Sequence, residues 1–326
     1  MDAITIDELE RGADDFDRVV ANTPGIDHFC SSSAWILPAQ SALMPHREPW
    51  LFRGRDGYLT MMRGAHHEGW HYIEPFESMW GLACPAVGAA PGPLSTEVAK
   101  LLRQRAGDWD VALFSGIGPE SDLCHELVAA LSLCARIRLG PRTARHVARL
   151  DDGFSAYLGR RSRNVRRSLK RSLREAERVG IEFLQLEADD PAGALAIYER
   201  ILAVESRSWK GRTGVGINDG CLHGFYREMV PRLAERGLLR VSLARHDGRD
   251  IGYILGSVFL GTYRGLQFSY DAAYQRFSLG NLCQYHQIEA LCREGVERYD
   301  LGTDMDYKRR WADGTQETIS LIVIRR

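Results

Sequence analysis

Three clusters in the second half of this 326-residue chain have the residue types and spacing to do chemistry. The first runs from a strand pattern into a helix pattern: Leu266-Gln267-Phe268-Ser269-Tyr270-Asp271, then Gln275-Arg276-Phe277-Ser278-Leu279-Gly280-Asn281. A turn containing Gly or Ser that opens a helix presents free backbone N–H groups, backed by the helix dipole, to an anion such as a pyrophosphate. Gln275 and Arg276 add side-chain donors to that turn. The pattern Q-x-x-S-x-G is short, however, and the same residues also serve an ordinary β–α connection with Asn281 capping the helix. The second cluster places Asp300, Asp304, Asp306, Tyr307 and Lys308 at the end of a strand, where open α/β sheets keep their sites. Asp300 alternates with apolar neighbours and so points inward. Turn chemistry accounts equally well for Asp304 and Asp306, and a solvated edge for Arg309 and Arg310.

The third cluster is a basic stretch from Arg160 to Arg178, with nine basic residues against Glu175 and Glu177. Val165, Leu169, Leu173 and Ala176 form a narrow apolar stripe, so a helix here docks one side and turns its charges outward. A solvated helix face normally mixes signs for i, i+4 pairing, and this one scarcely does. Arg163, Arg166, Arg167, Lys170, Arg171 and Arg174 therefore read as a surface for an anionic partner: a phosphate-rich cofactor, a nucleic acid or an acidic surface. His66, His67 and His71 lack matching Cys or acidic spacing, so no metal site is expected. Gly214-Val215-Gly216 is a flexible turn without a dinucleotide-binding context, and Trp209-Lys210 reads first as a packing anchor.

The elements that must position these clusters fall into two similar series. In the first half, the apolar pattern predicts strands at 50–52, 58–62 and 70–73, a helix at 94–105, a strand at 109–114, a helix at 119–133 and a strand at 146–150. The second half predicts one long helix over 154–179, helices over 194–206 and 222–236, then strands over 238–245, 251–260 and 265–270. A helix from Asn281 to Arg293, a strand at 298–301 and a final strand at 318–324 complete it. The expectation is an α/β fold with mixed sheets, built as a domain over 1–150 and a second over 151–326. Charge supports two modules: residues 1–150 carry 14 Lys/Arg against 19 Asp/Glu, and residues 151–326 carry 28 against 24. The acidic start excludes a signal or transit peptide, and no apolar run suffices for a membrane span. Seven cysteines without regular spacing fit reduced thiols, and the chain reads as cytoplasmic with no integral membrane association.

Taken in order, these motifs resemble the GNAT (Gcn5-related N-acetyltransferase) superfamily, in particular acetyltransferases associated with cellulose biosynthesis. The resemblance spans about residues 154–315 and rests on the basic helix, Trp209-Lys210-Gly211, Ser269-Tyr270-Asp271, Ser278-Leu279-Gly280, Tyr299-Asp300-Leu301-Gly302 and Tyr307-Lys308-Arg309-Arg310-Trp311. The repeated element order is also similar to Fem-type peptidyltransferases, whose two GNAT-like domains take aminoacyl-tRNA as donor. This resemblance implies two tandem GNAT-like domains, the first degenerate and used for the acceptor or for support. It places Gln275, Arg276, Ser278, Gly280 and Asn281 around an acyl-CoA pyrophosphate, with Ser278 where the family has its first glycine. It puts Trp209, Lys210, Tyr270 and Asp304 on the substrate side, and Lys308 near the acyl donor. The expected reaction is amide formation on a small or carbohydrate-linked amine. Asp271 is then the first choice of base and Asp300 the second, Lys308 an oxyanion donor, and Tyr307 a proton donor to the leaving group. The alternative donor is aminoacyl-tRNA, with the basic helix against the tRNA.

Overall fold

The computed structural model describes residues 1–326, which divide into two compact units: Met1–Ala144 with Glu317–Arg326, and Arg145–Gln316. Unit 1 opens with β1 (Asp2–Ile4), α1 (Ile6–Arg11), α2 (Ala13–Ala21), α3 (His28–Ser31) and α4 (Ser33–Leu43). It continues through β2 (Glu48–Arg53), β3 (Tyr58–Ala65), β4 (His71–Pro75), β5 (Ala86–Val87), α5 (Pro91–Gln104), β6 (Val111–Ile117) and α6 (Asp122–Ser132). β7 (Ala135–Arg149) leads into unit 2, which begins with α7 (Gly153–Gly159), α8 (Arg163–Arg178), β8 (Glu182–Leu186), α9 (Pro191–Glu205), α10 (Trp209–Thr213) and α11 (Gly220–Glu235). Then come β9 (Leu239–His246), β10 (Arg249–Phe259), β11 (Thr262–Tyr270), a 3₁₀ helix (Ala272–Phe277), α12 (Leu279–Glu294), β12 (Arg298–Thr303) and α13 (Asp306–Arg309). β13 (Gly314–Arg325) ends the chain. None of these helices is long and apolar enough to cross a membrane.

The mixed α/β architecture expected from the sequence is present in both units. Within unit 1 the strand order is β1-β2-β3-β4-β6-β13, with β5 beside β3; within unit 2 it is β7-β12-β11-β10-β9-β8. Each unit has one parallel pair among antiparallel neighbours: β4 with β6, and β11 with β12. Tight hairpins build the unit 2 meander. Asp247-Gly248 joins β9 to β10 and Leu260-Gly261 joins β10 to β11, and all four residues have positive φ (47°, 73°, 50° and 70°). Two-residue loops of this kind match the strand twist, at the cost of placing Asp247 and Leu260 in a region that side chains avoid.

The structure departs from the sequence reading at several places, three of which bear on the site. The single helix expected over 154–179 is two, α7 and α8, because Arg160 and Arg161 both turn onto Asp313 and Ser162 caps the new helix by accepting from Val165 N (3.3 Å). Those two arginines are therefore corner pins and not part of the free basic surface. The last strand does not stay with residues 151–316: Ile319 to Ile324 pair with β6, so the chain end returns to unit 1, and residues 145–150 belong to unit 2. Finally, α4 was invisible to periodicity because Ser33 to Ala39 are buried all round, leaving no polar face to read.

In unit 2, α8 lies along α12. Leu169 joins the cluster of Tyr157, Ile288 and Leu291, and Ala176 the cluster of Phe277, Leu279 and Leu282. This packing sets the outward direction of the basic residues beside the start of α12.

Candidate active site in a parted strand pair

β11 and β12 pair only over Thr262–Arg264 and Arg298–Asp300, and then part. Both strands carry irregularities where they separate. The β10–β11 register slips at Leu255/Gly256, leaving Leu266 unpaired, and the β12–β7 register slips at Asp300/Gly302. Bulges bend a strand and raise its local twist, which opens the fork. Gly265 lies beneath the Tyr299 ring, where a Cβ would come within 2.9 Å of the hydroxyl oxygen, so any other residue would push that buried ring aside.

Asp300 pins that branch. It is buried and ion-paired with Arg145 and with Arg264 (3.3 Å), and its Oδ1 accepts from Gly302 N at 2.8 Å. The expectation that Asp300 acts as a base is therefore corrected, because both of its oxygens are committed to fixed cations and backbone. Asp271 is corrected in the same way. Its Oδ2 meets Arg207 Nε at 2.8 Å and Arg249 at 3.5 Å, and its Oδ1 caps the 3₁₀ helix through Ala273 N at 3.0 Å.

The fork opens onto a small cleft lined by Gly265, Gln267, Phe268, Gln284, Tyr307 and Lys308. Lys308 is buried, and its Nζ donates to the Thr303 carbonyl at 2.8 Å. Burial brings its pKa down to about 8, opposed by Asp300 and helped by Arg264 and Lys210. Tyr307 stands edge-on to Phe268 with centroids 5.4 Å apart, and burial pushes its hydroxyl up to about 12. Gln284, from the buried face of α12, is 3% exposed and its side-chain nitrogen has no hydrogen-bond partner. A buried amide donor left unsatisfied costs about 1–3 kcal/mol, a sign that a cleft expects an acceptor atom.

A second, half-buried lysine sits across the strand. Lys210 Nζ donates to Gln267 Oε1 (3.2 Å) and to the Phe268 carbonyl (2.9 Å), while Gln267 Nε2 donates to the Tyr226 hydroxyl (3.1 Å). Burial lowers the Lys210 pKa and the Glu205 carboxylate opposes it. Sequence reasoning named Lys210 but missed Gln284 and Gln267. A polar residue on an otherwise apolar helix face was the available signal for Gln284, two positions after Leu282.

At the start of α12, the 3₁₀ helix ends on Ser278 with φ 56° and ψ 39°, and its N–H donates to the Gln275 carbonyl (3.2 Å). The helix opens at Leu279, two residues before the expected Asn281, whose N–H instead donates to the Ser278 carbonyl (2.9 Å). Gly280 packs on Phe268, where a Cβ would stand 2.9 Å from the ring, and Tyr270 flanks the same spot. Tyr270 thus belongs to the packing of α12. The Arg276 guanidinium lies 4.6 Å from the Phe277 ring centre. Asp304 accepts from His146 at 2.6 Å and meets Arg309 at 3.3 Å, contacts that lower its pKa, and it is not among the residues lining the cleft. Trp209 is 56% exposed. Arg163, Arg166, Arg167, Lys170, Arg171 and Arg174 all lie on the exposed side of α8.

Comparison with known proteins bears on the fold. Residues 163–309 match the family model described as acetyltransferase (GNAT) domain. No curated protein matches the chain. Among solved structures, a conserved protein of unknown function from Bacteroides thetaiotaomicron superposes with a TM-score of 0.65 at 12% identity, covering 97% of each chain. FemX superposes at 0.64 and 12% identity, covering 98% of this chain and 96% of its own. The L-PGS structure from Bacillus licheniformis gives 0.57 at 11% identity, covering 99% and 93%. At these identities the likeness is one of fold: tandem GNAT-like domains, as the repeated element order implied.

Proposed function

We propose that the protein is an N-acyltransferase that moves an acyl group from acyl-CoA to an amine acceptor, with the reaction in the unit 2 fork. The observation that carries this reading is the pair of buried donors, Lys308 Nζ and Gln284 Nε2, in the cleft between two parted parallel strands. Such a fork exposes strand N–H groups that elsewhere are consumed by pairing. Acyl-CoA supplies the activated carbonyl. Negative charge grows on that oxygen as nitrogen attacks, and fixed donors in a water-poor cleft stabilise it at no reorganisation cost. With a pKa of about 8, Lys308 is mostly protonated at neutral pH and serves as a donor. Tyr307, pushed up to about 12, stays protonated; it hands its proton to the leaving thiolate and is reprotonated from the water that takes up the amine's proton. Since Asp271 and Asp300 are held by arginines, the attacking amine gives its proton to water and not to either carboxylate. On this reading the donor phosphates meet the N-terminal end of α12 and its dipole, with the side chains of Gln275, Arg276, Ser278 and Asn281 alongside.

One observation favours a second donor. The basic face of α8 lies exposed beside the start of α12, and it exceeds what a single CoA needs. An aminoacyl-tRNA donor would use that face for its phosphates. The resemblance to cellulose-associated acetyltransferases bears on the acceptor alone, a small or carbohydrate-linked amine.

The two donors separate in one titration series. Acetyl-CoA is expected to bind saturably, and Gln284→Leu to weaken it while α8 substitutions leave it unchanged. If instead only charged tRNA binds, with affinity falling steeply with salt and lost in the Arg166, Arg167 and Lys170 triple alanine variant, the CoA reading is wrong.

A further inference from the structure

Beneath the segment joining α9 to α11 lies a group of buried polar atoms that acyl transfer does not use. Glu205, the last residue of α9, is fully buried. Its Oε2 accepts from Ser208 Oγ (3.2 Å) and from the Tyr253 hydroxyl (3.1 Å), whereas Oε1 is buried without a hydrogen-bond partner. Ser269 is paired with Tyr253 across β10 and β11, and its Oγ is also buried and unpartnered. So is Oδ1 of Asn218, in the covering segment. Lys210 does not neutralise the carboxylate by contact, because its ammonium is bonded to Gln267 and to the Phe268 carbonyl.

The chemistry of this set selects its ligand. A carboxylate oxygen and an amide oxygen only accept, and a hydroxyl can do so as well. An ammonium group offers three N–H donors, no acceptor and the charge that a buried carboxylate lacks, whereas a phosphate or carboxylate ligand would meet like charge. Position then separates this group from the reacting nitrogen. Ser269 lies two residues along β11 from Gln267 in the cleft, a distance of about 7 Å at the usual strand rise. We propose that Glu205, Ser269 and Asn218 form a subsite for a second, non-reacting ammonium group of the acceptor. The acceptor class is then an α,ω-diamine or a similarly spaced basic amine. This assignment rests on the N-acyltransfer reading for the identity of the other amine.

The segment that covers Glu205 has a defined point of closest approach. A Cβ at Gly216 would stand 2.8 Å from Oε1, and Gly214, with φ 71°, ends α10 just before it.

Calorimetric titration of the full chain without any acyl donor tests the subsite, using 1,4-diaminobutane, 1-aminobutane and 1,4-butanediol. Wild type is expected to bind the diamine more tightly than the monoamine and not to bind the diol. Glu205→Gln should weaken the diamine by about 30-fold or more, the scale of removing one partner of a buried charge pair, and leave the monoamine within about twofold. Gly216→Ala keeps the carboxylate but crowds Oε1, and should weaken the diamine by about tenfold. Equal diamine affinity in wild type and folded Glu205→Gln, equal affinity of wild type for diamine and monoamine, or no amine binding would each overturn the proposal. Acetyl transfer to 1-aminobutane, lost in Lys308→Met and kept in Glu205→Gln, reads the fork separately, so failure of one reading is distinguishable from failure of the other.

Discussion

The two units contain the same device, a parallel strand pair that parts, and use it in opposite ways. In unit 1, β4 and β6 pair only at Tyr72–Val111 and Ile73–Ala112. The loop after β4 then folds back onto β6: the Gly81 carbonyl accepts from Gly116 N (3.2 Å) and the Ala83 carbonyl from Ser115 Oγ (2.8 Å). A Cβ on Gly116 would stand 2.1 Å from the Leu82 carbonyl, so backbone is packed on backbone. The fully buried Glu77 carboxylate organises this loop by accepting the N–H groups of Trp80, Gly81, Leu82 and Ala83. Burial raises its pKa and the four N–H bonds pull the other way. In unit 2 the corresponding fork holds a cleft with a lysine and an unpartnered amide. A strand fork offers unpaired backbone groups, and the chain must satisfy them with its own residues or leave them for a substrate. Unit 1 does the first. Unit 2, on our reading, does the second.

The comparison can be broken at several points. The largest effect is expected at Glu77. Glu77→Ala leaves four loop N–H groups without their acceptor and should cost about 3–5 kcal/mol of stability in denaturant unfolding. Acyl transfer by the remaining folded protein should be unchanged, since the unit 1 loop is a filler. Loss of turnover without loss of stability would instead place unit 1 in the chemistry.

Next in size is Lys308. Lys308→Met should lower kcat by about 10²–10³-fold, the usual cost of one oxyanion donor, about 2.7–4 kcal/mol. Stability should move the other way. The folded-state pKa, about 8, lies below the ordinary lysine value, so burying the ammonium is a cost fully present below pH 8. That cost is relieved as pH rises toward the ordinary value of 10.5. Lys308→Met should therefore gain about 1–3 kcal/mol at pH 7 after loss of the Thr303 hydrogen bond, and the gain should vanish at high pH. In wild type, kcat should fall on the alkaline side near pH 8, and Lys308→Arg should move that limb upward. An alkaline limb unchanged in Lys308→Arg would show that Lys308 does not donate.

The smallest effect is expected at Asp271. Asp271→Asn should leave turnover within about threefold across the pH range while costing about 1–3 kcal/mol of stability, because a buried ion pair with Arg207 is broken. A large pH-dependent loss of turnover would restore its role as base.

These contrasts also show what could be read from the sequence. The meander of unit 2 was legible because Asp247-Gly248 and Gly261 mark its hairpins and the strands between them are apolar. Tyr307 and Lys308 were singled out by their place at a strand end, and the structure brings both to the lining of the cleft. The carboxylates misled. Asp271 and Asp300 sit in motifs beside the fork, yet their partners Arg207 and Arg145 are 64 and 155 residues away, and no local pattern announces such a pair. The return of β13 to β6 is equally remote in sequence. Glu77 was passed over because its role depends on a loop conformation and not on spacing.

Hydrogen exchange with and without saturating acetyl-CoA tests the central contrast most directly. Our account predicts added protection at residues 265–268 and 279–284 and none at 77–84 or 111–117. Protection confined to the unit 1 loop and β6, with the unit 2 fork unchanged, would contradict it.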